Sequence, residues 1–263
     1  MKSPSKNRHF KSIIQDNFDA SAPFYEAFEE KYLLYGMLTE KLTELMDNKD
    51  VKRVLDVGCG TGISTQALSR CFGKECTYYG IDISEKMLEI AKGKYEERDN
   101  FIFIQGDGER LKDYFLETFD GIFYTASIFL LPNFKNSLKD AFSLLNEKKK
   151  IGISFYSGIT NIDGKDLVES HFTRSRYSYG ALTLDNLLIY LNKEGNKHFV
   201  TDYHFPSTKE CLTDFLSIPA QASSLFPKQS YSRQLYLVKD FVDDLYRSVE
   251  EVFMKWTFII ASK

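Results

Sequence analysis

The chain has 263 residues, 43% of them hydrophobic, and a formal net charge of −3. That length and apolar content suit one α/β domain with elaborations and a sizeable buried core. The near balance of charge argues against the broad cationic footprint of a nucleic-acid binder, and no apolar run reaches the about 18–20 residues needed to cross a bilayer. The polar N-terminus lacks the apolar core of a secretory signal, so the expected location is cytoplasmic. Lys2, Lys6, Arg8 and Lys11 are read as a solvated N-terminal arm. The four cysteines, Cys59, Cys71, Cys76 and Cys211, do not form a metal-ligand pattern and are expected as buried or incidental thiols, with no metal bound.

Residues 10–47 read as two helices, the first marked by Ile13, Ile14 and Phe18 and the second by Phe24, Phe28, Leu33, Leu38, Leu42 and Leu45. Ala22-Pro23 is the expected break between them. Strands are then expected near 52–57, 76–82, 101–106, 119–125 and 149–157, with amphipathic helices in the intervals. Such alternation argues for a parallel sheet covered on both faces. Residues 158–182 read as a mobile connection containing His171, Arg174 and Arg176. After them come a helix capped by Thr183 or Asp185, a sixth strand over 197–204, helices near 207–217 and 232–248, and an apolar final strand.

The chemistry concentrates at the ends of the first three strands. Val54-Leu55-Asp56-Val57 runs into Gly58-Cys59-Gly60-Thr61-Gly62, where glycine lets the chain turn sharply and bring its backbone close to a ligand. The next two apolar runs also end in acids, Asp82 and Asp107, along the carboxyl edge where open α/β sheets bind ligands. The spacing G-x-G-x-G differs from the G-x-G-x-x-G of nicotinamide dinucleotide sites, and no Gly-Lys-Ser or Gly-Lys-Thr follows to make a P-loop. Asp56, two residues before the first glycine, would repel a pyrophosphate but suit the ammonium of an amino acid.

These residues resemble the class I S-adenosylmethionine (SAM) dependent methyltransferases. LDVGCGTG is similar to the family's first motif, GIDIS to the second, QGDGERL to the third, and FDGIFYTASIFLLPNFKNSLKDAF to the fourth and its helix. The resemblance implies an α/β, Rossmann-like seven-stranded sheet, mostly parallel with an antiparallel last strand, helices on both faces and a helical lid and cap. Residues 1–50 would be the lid, 51–157 the SAM-binding core, 158–250 the substrate cap with the sixth strand, and 251–263 the last strand. It implies that Asp56 and the backbone of Gly58, Cys59, Gly60 and Gly62 hold the methionine part of SAM. Asp82 would take the ribose hydroxyls, with Ile83 near the adenine. Asp107 and Gly108 would meet the adenine edge, with Tyr124 and Thr125 near the methionyl end. Asn17–Tyr25 is similar to the first helix of quinone-biosynthesis and related small-molecule methyltransferases, which places Tyr25 near SAM. One departure is Asn146-Glu147-Lys148-Lys149-Lys150 where relatives often carry Lys-Pro-Gly-Gly.

Methyl transfer from a sulfonium, which leaves S-adenosylhomocysteine (SAH), is an in-line displacement, so alignment supplies most of what the enzyme must provide, about 7–11 kcal/mol. A general base is needed only where the acceptor must lose a proton; His171 and His204 are the candidates. Arg174 and Arg176 are candidate holders of an anionic substrate group. The Asn/Asp-Pro-Pro-Tyr/Phe motif of adenine and glutamine methyltransferases is absent. The expectation is therefore a methyltransferase for a small, partly apolar metabolite. A protein or carrier-bound acyl acceptor and a non-catalytic SAM- or SAH-binding regulator are the alternatives.

Overall fold

The computed structural model describes residues 4–168 and 182–263, so His171, Arg174 and Arg176 lie outside the described residues. Seven strands form one sheet: β1 (Arg53–Val57), β2 (Thr77–Asp82), β3 (Phe101–Gln105), β4 (Phe119–Thr125), β5 (Leu145–Thr160), β6 (Lys197–Ser207) and β7 (Val252–Ser262). Their order is β3-β2-β1-β4-β5-β7-β6. The pairs from β3 through β5 are parallel, whereas β7 runs antiparallel to both β5 and β6. This is the expected sheet. Strand order reverses beside β1, which pairs with both β2 and β4, and such a switch point opens a crevice at the carboxyl edge.

Helices α3 (Ile63–Phe72), α4 (Glu85–Lys94), α5 (Phe134–Leu144) and α6 (Leu184–Lys193) connect the strands. All seven residues of β4 are buried because helices cover both faces. Strand alternation sorts the core into two layers. Val54 and Phe123 enter one with Leu68 and Trp256; Leu55, Ile122 and Tyr124 enter the other with Leu138 and Leu187.

Several boundaries differ from the sequence expectation. Strand β5 starts at Leu145, directly after α5, because Leu145 pairs with Phe119 across a register shift and Asn146 Nδ2 donates to Asp120 Oδ1 at 2.8 Å. Between α7 (Lys209–Ser217) and α9 (Tyr231–Ser248), the structure adds α8 (Pro219–Leu225). Pro219 opens that helix at a position where the missing N–H costs nothing. Thr183 is the cap of α6, accepting from Asn186 N, while Asp185 sits in the first turn.

The largest difference lies at the N-terminus. The structure has one 29-residue helix, α1 (Pro4–Tyr32), running through Pro23. The chain breaks instead at Leu33, which adopts a left-handed conformation (φ 54°) before α2 (Leu34–Met46). Buried Glu29 makes that joint, its carboxylate accepting from Tyr35 N at 2.9 Å and Gly36 N at 2.8 Å. Proline inside a helix removes one backbone bond and crowds the carbonyl four residues back. Contacts on both sides of Pro23 offset this. Asp19 accepts from Ser84 Oγ at 2.5 Å, Ser21 Oγ accepts from Ala220 N at 2.9 Å, and Glu26 pairs with Lys94 at 2.6 Å.

Pro23→Ala restores the missing donor on an exposed helix face. Interior proline costs about 3 kcal/mol, so amide exchange in residues around 19–27 should slow by tenfold or more. Unchanged exchange there would show that the helix already accommodates the ring without cost.

Candidate active site

The site begins with a buried carboxylate. Asp56 Oδ2 accepts from Ser64 Oγ at 2.6 Å and Thr65 Oγ1 at 2.7 Å, which ties β1 to the first turn of α3. Its other oxygen, Oδ1, is buried and has no hydrogen-bond partner among the described residues. Burial pushes the carboxyl up to about 6, against the two hydroxyl bonds that favour its charged form. The loop that follows has positive φ at Gly58, Gly60 and Gly62. A Cβ at Gly58 would lie 2.5 Å from Ser127 Cβ, so the loop after β4 leaves no room there. At Gly60 the nearest atom is Met87 Sδ at 3.8 Å, an ordinary contact with no clash.

Asp82 closes the loop from the next strand, its Oδ2 accepting from Gly60 N and its Oδ1 from Ser84 N, both at 2.8 Å. Burial raises its pKa too, and the backbone N–H groups oppose the shift. Asp107 accepts from Glu109 N at 3.0 Å and pairs with Lys11 at 2.5 Å. Lys11 also meets Glu109 at 2.5 Å and is only 22% exposed. It is therefore no part of a solvated arm: α1 carries it across the sheet edge to the acids after β3. Two carboxylates and partial burial explain the error, since a lysine cluster in sequence gives no sign of distant partners.

One cavity, of about 180 Å3, runs from this edge towards β5 and β7. Its near end is lined by Gly58, Cys59, Gly60, Asp82, Ile83 and Asp107, with Gly108 adjoining. The far end is lined by Tyr25, Tyr35, Phe155, Tyr156, Phe215 and Trp256. Thr125 also lines it, with its hydroxyl 3.2 Å from Thr39 Oγ1. Tyr124 does not. Strand alternation turns it into the opposite core layer, where its hydroxyl meets Ser137 Oγ at 2.7 Å, so of that expected pair Thr125 alone reaches the cavity. His204 is also elsewhere, on β6, with Nδ1 3.4 Å from Thr160 Oγ1 and its ring edge-on to Phe253. Tyr35, Gln221 and Trp256 were missed by sequence reasoning because they come from helices and a strand far apart in the chain. Among the described residues, no group of three or more His, Cys, Asp or Glu is arranged to hold a metal ion. No helix among them is long and apolar enough to cross a membrane.

Known proteins match the chain in sequence and in fold. Residues 54–148 match the family described as "Methyltransferase domain". A malonyl-[acyl-carrier protein] O-methyltransferase of Halalkalibacterium halodurans is 30% identical over 107 residues, which is 38% of each chain. A second enzyme of that name, from Ilyobacter polytropus, is 24% identical over 79% of this chain and 78% of its own. A demethylmenaquinone methyltransferase of Lactococcus lactis subsp. lactis is 30% identical over 51% of this chain and 58% of its own. The chain thus spans under two thirds of some of these relatives and over three quarters of another. In fold, it resembles the [4+2]-cyclase SpnF, with a TM-score of 0.64 and 17% identity over 95% of each chain. It also resembles a Haemonchus contortus phosphoethanolamine N-methyltransferase 2 solved with SAM, with a TM-score of 0.62 and 20% identity over 93% of this chain and 57% of that one.

Residues 54–148 are thus similar to the methyltransferase domain family, and the fold is that of the class I SAM-dependent methyltransferases. Within that class, the relatives' names cover both a carrier-bound acid and a ring compound, and a fold shared with a cyclase does not choose an acceptor. The residues present fit SAM, the cofactor of that class. Gly60 leaves a space that a side chain would enter, and Asp56 keeps a buried oxygen unpaired beside the loop.

The Asp56 shift gives a pH signature. Its folded pKa lies above the ordinary 3.8, so the contribution to stability is full below pH 3.8 and is lost as pH rises through about 6. Asp56→Asn keeps an acceptor for both hydroxyls and cannot ionise. In the absence of SAM, the stability of the wild type relative to this variant should fall by up to about 3 kcal/mol between pH 4 and pH 7. Urea unfolding at a series of pH values checks this; parallel curves would remove the buried ionised carboxylate from the account.

Proposed function

We propose that this protein is a SAM-dependent methyltransferase acting on a small, partly apolar acceptor held in the far end of the cavity, against β5 and β7. The observation that carries the reading is the continuity of one cavity. It joins the glycine loop to an aromatic-walled space roofed by α1, α7 and α8. Bound SAM supplies an electrophilic methyl group on a sulfonium. In this reading, Asp56 and the loop backbone face its amino-acid part, Asp82 accepts from the ribose hydroxyls, and Asp107, Gly108 and Ile83 border the adenine. Tyr25 and Thr125 lie between the two ends. The chain's own part in the chemistry is to orient the acceptor and exclude water, which matches a cavity with no histidine among its described lining residues.

Helix α1 serves as the lid in this reading. Lys11 on Asp107 and Glu109, and Asp19 on Ser84, fasten it over the cofactor end. Exchange of SAM for SAH then requires these polar contacts to open. A carrier-bound acyl acceptor is the second reading, favoured by the relatives named for malonyl-[acyl-carrier protein].

Calorimetric titration with SAM, SAH and NAD tests the cofactor end first. The two sulfur nucleotides should bind and NAD should not. Asp82→Ala should weaken SAM binding by tenfold or more, since a charged acceptor and the Gly60 tether are lost together. Gly60→Ala should weaken SAM binding by a similar factor at a stability cost of about 1–2 kcal/mol from its left-handed φ, because its Cβ meets no atom closer than Met87 Sδ at 3.8 Å. Gly58→Ala should instead lower stability strongly through the clash with Ser127. Equal SAM affinity in the Asp82 and Gly60 variants would remove the proposed ribose and loop contacts. Transfer of labelled methyl groups to small extracts but not to acyl carrier protein separates the two acceptor readings.

A further inference from the structure

The far end of the cavity has a more specific chemistry than an apolar slot. Its charged lining residues among those described, Lys11, Asp82 and Asp107, all sit at the cofactor end. Aromatic rings form the far wall as a connected series. Tyr25 lies 5.5 Å from Tyr35, Tyr35 6.5 Å from Trp256, Trp256 5.1 Å from Tyr156, and Tyr156 5.7 Å from Phe215. Such walls suit a flat ring, whose faces and edges find complementary quadrupoles.

Two polar groups there can donate to a ligand. Trp256 is 1% exposed, lines the cavity, and its buried Nε1 has no hydrogen-bond partner among the described residues. A tryptophan N–H can only donate, and buried donors are rarely left unpaired in a native protein unless something else fills the place. The Tyr25 oxygen accepts from Gln221 Nε2 at 3.4 Å. With its oxygen accepting there, its own O–H can donate to a ligand. Burial pushes Tyr25 up to about 12 and Tyr35 well above its ordinary value, so both stay protonated donors at neutral pH.

We propose that the acceptor is an uncharged ring compound whose hydroxyl or carbonyl oxygen receives hydrogen bonds from Trp256 Nε1 and the Tyr25 hydroxyl. This inference rests on the methyltransferase reading and narrows it. A carboxylate or phosphate would be desolvated without a cation among the described far-end residues, which is costly. An ammonium would meet favourable ring faces but leave both donors opposed to its own hydrogens.

Trp256 is the sole tryptophan of the chain, so its emission reports on the far end. The experiment titrates SAH-saturated protein with 4-propylphenol, propylbenzene, 4-propylbenzoate and 4-propylbenzylammonium at pH 7.5, excited at a wavelength that the probes do not absorb. The phenol should change Trp256 emission and bind at least fivefold tighter than propylbenzene and tenfold tighter than either ion. By calorimetry, Trp256→Phe and Tyr25→Phe should each weaken phenol binding about fivefold, the loss of one hydrogen bond. Trp256→Phe should leave SAH affinity within twofold, which also shows that it folds. Tightest binding of the benzoate would overturn the proposal in favour of an anionic acceptor and of Arg174 and Arg176. Tightest binding of the ammonium would overturn it in favour of a cationic one. Equal binding of phenol and propylbenzene, or binding of none of the four, would overturn it outright. Failure of SAH itself to bind is a separate result and would sink the methyltransferase reading instead.

Discussion

The buried Asp56 carboxylate is the constraint on which the site depends. It sits inside the sheet where charge is expensive, and the hydroxyls of Ser64 and Thr65 make it tolerable. Those two bonds fix where α3 begins relative to β1. The five residues between must therefore turn with little freedom, and Gly58 fits only because Ser127 leaves no space for a side chain. Asp82 then holds the turn from outside through Gly60 N. A charged group, a helix start and a second strand thus define the shape of one loop.

The second organising element is α1. Four of its polar residues reach the rim of the crevice: Lys11 to the acids after β3, Asp19 and Glu26 to α4 and its cap, Ser21 to the start of α8. Tertiary contacts on both sides of Pro23 hold together a helix that local preference would interrupt. The break moves to Leu33, where Glu29 supplies two acceptors for the first free N–H groups of α2. The same helix brings Tyr25 into the cavity.

The far end has neutral donors and aromatic walls where many catalytic sites place a titrating histidine. His204 is engaged with Thr160 and Phe253, away from the cavity. That arrangement is coherent with methyl transfer, in which the leaving sulfide is intrinsically good and alignment dominates the rate. The chain's investment is in position: ring contacts, two spare donors and a roof of helices.

The amino-acid sequence by itself determined the sheet and its cofactor edge. Strand-helix alternation, glycines at alternate positions and three acids at strand ends are local patterns, and each is read within a few residues. The apolar run Val252–Ser262 also marked a covered strand, and its antiparallel place beside β6 is what the family resemblance implied. Tertiary structure alone decided the rest. Which face Tyr124 takes, that Lys11 meets acids 96 and 98 residues away, that α1 survives Pro23, and that Tyr35, Gln221 and Trp256 share one cavity are all consequences of packing. The physical reason is range: hydrogen-bonding periodicity and backbone preference act over a few residues, whereas burial and ion pairing act between whichever groups the fold brings together.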